Sequence, residues 1–235
     1  MCGICGLTWS DSNLIRKMGN KIKHRGPEQE GFFVDEHVSL CCERLKILDL
    51  RETAKQPQHN EDSTIWVVLN GEIYNFRELR TNLISQGFQF RSQSDSEVLL
   101  NLYLAEGKDL LPKLNGIFTF AIWDGRQQSL FIARDGLGVK PLYYTTNHDH
   151  FAFASEIKAL LRLVHVYKEL DYEAIQRYLT FLWCPGDQTP LKFVKKLIPG
   201  EALIIRAGRI EKQWTWYQLP LFRNVKSEQS ETSSV

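Results

Sequence analysis

The sequence predicts an α+β fold in which two antiparallel sheets pack together with helices outside. Short β-branched or aromatic runs bounded by turn residues dominate the chain. Several of them pair as hairpins, most clearly across Asp124-Gly125 in "FAIWDGRQQSLFIAR". Helices are few and amphipathic, and they interrupt groups of strands rather than alternating with single ones.

Each element follows from its own pattern. "CGICGLTW" reads as a strand. In "DSNLIRKMGNKIKHR", Leu14, Ile15, Met18 and Ile22 recur at helical spacing, with Asp11 or Ser12 as cap. "GFFVDEHVSLCCERL" and "STIWVVLNGEIYN" are strand signals; in the second, the strand is expected over Ile65–Leu69, ending at an Asn70-Gly71-Glu72 strand-to-helix turn. "NFRELRTNLISQG" is a helix from Asn75 to a terminating Gly87. "SDSEVLLNLYLAEG" opens with the Ser94/Glu97 capping signature and ends at Gly107. Hairpins are expected in "GIFTFAIWD"/"QSLFIARD", in "PLYYTTNHDHFAFAS", and around Ala207-Gly208 in "GEALIIRAGRIEKQWTWY". "DYEAIQRYLTFL" is a further helix, starting near Asp171. From Arg223 onward the chain is polar and aperiodic, which predicts a disordered tail.

A chain of 235 residues can bury a core without covalent staples. Its net charge of +1 carries no footprint for nucleic acid or an anionic membrane. No apolar run approaches the roughly 18 residues of a spanning helix, and no secretory signal is visible. The five cysteines are odd in number, with Cys41 and Cys42 adjacent, so they do not read as a disulfide framework; a reducing, cytoplasmic location is expected.

Cys2 follows the initiator methionine. Removal of Met1 gives one residue both a thiol and a free amine. Asn70-Gly71 can be plain turn chemistry or an oxyanion hole, with the carboxamide donating one hydrogen bond and the glycine N–H another. Arg44 sits in a strand-like stretch and needs a carboxylate, either Asp49 in a structural ion pair or a ligand held bidentately. Asp95 can serve the helix dipole or, with Glu72, hold an ammonium group. "ARDGLGVKPLYY" lacks the spacing of a phosphate loop despite Lys140. Cys2 and Cys5 form C-x-x-C, but on a strand they face opposite ways, so no metal site is expected.

Taken in order, "MCGICG", "HRGPEQEG", "ERLKILDL", "LNGEIYNFREL", "SDSEVLL", "LNGIFTFAIWD", "ARDGLGVKPLYY" and "FAFASEIKALL" resemble the class II glutamine amidotransferases, which are N-terminal nucleophile hydrolases. Within that class they look most like the glutaminase domain of glutamine-hydrolysing asparagine synthetases. The resemblance covers roughly residues 1–160 and, through "KLIPGEALIIRAGRIEKQW", extends to about 217. It implies a four-layer αββα sandwich over 1–217, with 218–235 as a polar tail. It implies Cys2 as nucleophile, Asn70 and Gly71 as oxyanion hole, Arg44 on the glutamine carboxylate, and Glu72 and Asp95 on its amino group. Leu45, Ile47 and Leu48 would give backbone contacts, and Arg25, Gly26 and Pro27 would lie on a loop beside the pocket. The implied activity is hydrolysis of L-glutamine, with ammonia passed to a synthetase domain or subunit in trans and homodimerisation possible; the rival is a silent glutamine-binding or regulatory module. The S-G-G-x-D-S pyrophosphate loop of the family's synthetase half is missing from this sequence. No cofactor is therefore expected here, ATP and Mg belonging to the partner. Gly136 stands where the family often carries a basic residue.

Overall fold

The computed structural model describes residues 1–164 and 168–220. The elements run β1 (Gly3–Leu7), α1 (Ser12–Ile22), β2 (Gln29–Val34), β3 (Ser39–Arg44), β4 (Gln58–His59), β5 (Ile65–Ile73), α2 (Phe76–Ser85), α3 (Asp95–Glu106), β6 (Gly116–Asp124), β7 (Ser129–Arg134), β8 (Tyr143–Asn147), β9 (His150–Ala154), α4 (Ile157–Leu160), α5 (Tyr172–Phe181), β10 (Lys195–Lys196), β11 (Glu201–Arg206) and β12 (Arg209–Thr215). The polar stretch from Arg223 lies outside the described residues.

Two six-stranded antiparallel sheets form, in the orders β10-β8-β9-β1-β3-β2 and β12-β11-β7-β6-β5-β4. All three expected hairpins are present, as β6-β7, β8-β9 and β11-β12. Strand periodicity sorts the side chains into layers. Ile4, Leu40, Val68, Ala121, Ile132, Phe151 and Phe153 fill the space between the sheets. Cys5, Leu7 and Cys41 face outward and pack under Ile15, Met18 and Ile22 of α1. Val67, Leu69 and Phe120 face the other way, under Leu79 and Leu83 of α2 and Val98 of α3. The result is the αββα sandwich. Burying each such Leu, Ile or Phe contributes about 1.5–3 kcal/mol.

The caps are as read in the sequence. The Asp11 side chain accepts from Leu14 N–H, and the Ser94 side chain from Glu97 N–H. The reciprocal half of the capping box does not form. Glu97 instead accepts from Arg91 N–H (2.7 Å), Ser92 N–H (2.6 Å) and Ser92 Oγ (2.5 Å), which ties down the loop before α3.

One expectation is corrected. Asn70-Gly71-Glu72 is not a turn, because β5 runs unbroken to Ile73, paired with β6 (Asn70↔Thr119, Gly71↔Phe118, Glu72↔Ile117). Gly71 has φ +149°, and a Cβ there would lie 2.1 Å from the Ile117 carbonyl oxygen. Glycine is required by close strand approach, not by a reversal.

Candidate active site

The two sheets place the ends of β1, β3 and β5 together. A small cavity opens there, of about 50 Å3, lined by Met1, Cys2, Arg44, Leu45, Ile47, Leu48, Gln56, Gly71, Glu72, Ser94, Asp95, Ser96 and Lys140. It has room for only a few waters with Met1 in place. Seven of the sequence-picked residues line it together with the cysteine: Arg44, Leu45, Ile47, Leu48, Gly71, Glu72 and Asp95. Asn70, Arg25, Gly26 and Pro27 do not line it.

Cys2 faces the layer between the sheets with Ile4, while Cys5 packs on the opposite face, so the C-x-x-C pair does not share a site. The Cys2 thiol is pushed down to about 7. A hydrogen bond from Cys42 is the main cause; burial opposes it, and a backbone hydrogen bond at Leu45, the amino terminus and Arg44 assist. Cys42, the donor in this pair, is raised well above the ordinary thiol range.

Asn70 is fully buried, and neither its Oδ1 nor its Nδ2 has a partner among the described residues. A buried carboxamide with both ends free is costly. On the neighbouring residue the backbone parity of β5 is decisive. Leu69 N–H goes to Gln56 Oε1 (2.6 Å) and Ile73 N–H to Asp95 Oδ2 (3.1 Å), both on the edge away from β6. Gly71 lies between them with the same parity, so its N–H points to that open edge. Phe118, opposite Gly71, turns its own N–H to Asp135 Oδ2 (3.2 Å), as the same pairing demands.

Arg44 is buried, with its donors largely committed. Nη1 binds Gln29 Oε1 (2.9 Å), and Nη2 binds the carbonyls of Leu48 (2.9 Å) and Asp49 (2.7 Å). The structural ion pair with Asp49 is absent; that carboxylate takes Arg51 (2.6 Å) instead. A guanidinium has five N–H groups, so Arg44 keeps donors in reserve and no anion among the described residues neutralises it. Its bonds to Leu48 and Asp49 also fix the loop that carries Leu45, Ile47 and Leu48.

Asp95 opens α3 and is buried. Burial pushes its carboxyl up to about 6; backbone N–H bonds from Ile73 and α3 oppose this, and Glu72 adds to it. Neither acid has a cationic partner among the described residues, so the pair presents an unfilled demand for positive charge. The folded chain holds the Asp95 proton more tightly than an ordinary carboxyl at 3.8, so this group stabilises the empty protein most below about pH 4 and loses that contribution as pH rises through 6. Asp95→Asn, which keeps an acceptor for Ile73, is expected to stabilise the empty protein at pH 8 by on the order of 2 kcal/mol. Urea midpoints of the two proteins at pH 8 and pH 4 check this: a gap at pH 8 that closes at pH 4 is expected, and equal midpoints at both would refute it.

Arg25, outside the cavity, donates from Nε to the Cys2 carbonyl (3.0 Å) and from Nη1 to Glu156 (3.0 Å). Gly26 packs on the end of β3, where a Cβ would lie 2.2 Å from the Glu43 oxygen. The Arg25-Gly26-Pro27 loop therefore anchors the terminus from behind. Lys140, Gln56 and Cys42 belong to the site's surroundings and were not singled out for it by their sequence context.

A family model for the glutamine amidotransferase domain matches residues 1–217. The chain is 42% identical over 214 residues to Asparagine synthetase [glutamine-hydrolyzing] 1 of Bacillus subtilis (strain 168), covering 88% of this chain and 34% of that protein. It is 32% identical over 250 residues to Putative asparagine synthetase [glutamine-hydrolyzing] 2 of Methanocaldococcus jannaschii, covering 96% of this chain and 48% of that protein. It spans a third to a half of the length of these curated relatives. Among solved structures, the glutamine phosphoribosylpyrophosphate amidotransferase of B. subtilis superposes with TM-score 0.68 at 20% identity, over 93% of this chain and 50% of that one; this likeness bears on the fold alone. No helix among the described residues is long and apolar enough to cross a membrane. The αββα sandwich and the match across nearly the whole chain agree, and the chain belongs to the glutamine amidotransferase domain family.

Proposed function

We propose that this domain hydrolyses L-glutamine to glutamate and ammonia through a thioester on Cys2, and that the ammonia serves a synthetase domain or subunit of the asparagine-synthetase type. The observation that carries the reading is the cavity itself. It brings a lowered thiol, Arg44 without an anion, and two acids without a cation among the described residues, around one small space. A zwitterionic amino acid with an uncharged amide is complementary to that set.

In this reading Met1 is removed, which frees the Cys2 amine and vacates the methionine's share of the cavity. The thiolate attacks the side-chain amide carbon. The oxyanion takes hydrogen bonds from Gly71 N–H and Asn70 Nδ2. As the C–N bond breaks, the protonated Cys2 amine gives its proton to the leaving nitrogen, and ammonia departs. Water then attacks the thioester, the amine takes a proton from it, and glutamate leaves a free thiol. Arg44 grips the α-carboxylate, while Glu72 and Asp95 grip the α-ammonium and are themselves relieved of mutual repulsion.

Equal release of glutamate and ammonia from glutamine by protein beginning at Cys2 tests this. Protein that keeps Met1 is expected to release none, because its terminal amine is one residue too far out. Turnover by Met1-bearing protein at the same rate would overturn the terminal-amine role. Asn70→Ala is expected to lower kcat about 100- to 1000-fold with KM nearly unchanged, since the oxyanion exists only after attack. An unchanged kcat would remove Asn70 from the mechanism.

A further inference from the structure

The cavity holds a second cation. Lys140 is only 6% exposed and lines the cavity with Cys2, Gly71, Glu72 and Asp95. The partner of its Nζ is the Met1 sulfur at 3.0 Å, a neutral and weak acceptor. It forms no ion pair among the described residues, although burying an unpaired ammonium is expensive.

The loop after β7 is built to keep it there. Arg134, itself buried, donates to the carbonyls of Lys140 (2.7 Å), Gly138 and Leu197. Asp135 accepts the N–H groups of Leu137 (3.1 Å), Val139 (3.0 Å) and Lys140 (3.1 Å). Both the carbonyl and the N–H of Lys140 are thus fixed by side chains. The ammonium they present meets the side chain of Met1, the residue joined to the Cys2 nitrogen.

We propose that Lys140 is a positioning residue of this site: with Met1 gone, its ammonium faces the new terminus, holding the Cys2 thiol as thiolate and making the adjacent protonated amine a readier donor to the leaving nitrogen. The proposal rests on the glutaminase reading and adds the group that sets the proton inventory at the reacting end. A cation nearby favours the thiolate and disfavours a second cation, the protonated amine. A neutral amine is the form able to accept a proton from the attacking water.

Cys42 and Arg44 also lower the thiol; Lys140 adds a cation on the side of the terminus, where it meets the Met1 side chain. Cys42 and Arg44 come from β3, Glu72 from β5 and Asp95 from α3, while Arg25 meets the Cys2 carbonyl. Arg44 is engaged with Gln29, Leu48 and Asp49, and Arg25 with Glu156. Glu72 and Asp95 act in the opposite sense until a substrate ammonium neutralises them.

The test is the pH dependence of iodoacetamide alkylation at Cys2, read by peptide mass on Met1-processed protein, for wild type, Lys140→Met, Lys140→Gln and Lys140→Arg. The midpoint is expected to rise by about one pH unit in both neutral variants, roughly a tenfold slower alkylation below it, and to stay in place in Lys140→Arg. The acid limb of kcat/KM for glutamine moves with it. Neutral variants whose profiles superimpose on wild type, or a Lys140→Arg shifted as far as Lys140→Met, would overturn the proposal. Wild-type protein that makes no glutamate would sink the glutaminase reading instead, and the alkylation midpoints would still decide on Lys140.

Discussion

Cys2→Ala is expected to reduce glutamate release from glutamine to the buffer background, a loss of four or more orders of magnitude. The side chain is small and 9% exposed at the end of β1, so the sandwich is expected to fold unchanged, with near-native circular dichroism and urea midpoint. Cys42→Ala is the informative control. It leaves the nucleophile but removes the hydrogen bond that most lowers the Cys2 thiol. Activity should persist, with its acid limb displaced to higher pH. Activity in Cys2→Ala comparable to wild type would remove Cys2 as the nucleophile; Cys5 and Cys41 pack under α1, and Cys42, the thiol left beside the site, is raised well above the ordinary thiol range.

Arg44→Met is expected to lower kcat/KM for glutamine by about 2–5 kcal/mol, roughly 30- to several-thousand-fold. The guanidinium is buried and has no anion among the described residues; in the proposed reading the α-carboxylate of glutamine supplies one. Loss of its bonds to the Leu48 and Asp49 carbonyls also loosens the loop lining the cavity. The two contributions separate by substrate. If the carboxylate contact dominates, wild type discriminates strongly between glutamine and its α-carboxamide, and Arg44→Met does not. Equal discrimination by both proteins would assign Arg44 to the loop alone.

Much of the fold was legible because β-branched and aromatic runs alternate cleanly and their turns carry Asp-Gly or Ala-Gly. The helices were legible from their caps, Asp11, Ser94 and Asp171. What escaped depends on tertiary pairing. β4 and β10 have two residues each, too short for any period, and exist only through neighbours in the sheets. Asn70-Gly71 looks like a turn because these residues favour one locally, but nine consecutive pairs with β6 carry the strand through them. Arg44 and Asp49 are close enough in sequence to suggest an ion pair; only the structure shows Arg51 taking the carboxylate.

For the site, spacing brought out the charged groups and not their support. Arg44, Glu72 and Asp95 stand out as charges within or beside strand and helix ends. Gln56 and Lys140 lie in loops without periodicity, whose path is set by side-chain to backbone bonds, Gln56 to Leu69 N–H and Lys140 through Arg134 and Asp135. Cys42 reads as one of an adjacent pair, and only strand parity separates it from Cys41 and turns it toward Cys2.

The central claim is a covalent glutamyl intermediate on a terminal cysteine. Acid quenching of protein at steady state with glutamine, followed by mass spectrometry of the N-terminal peptide, measures it directly. The account predicts a peptide that begins at Cys2 and carries one glutamyl group as an acid-stable, hydroxylamine-labile thioester. A peptide that begins at Met1 and stays unmodified while glutamate accumulates would contradict it.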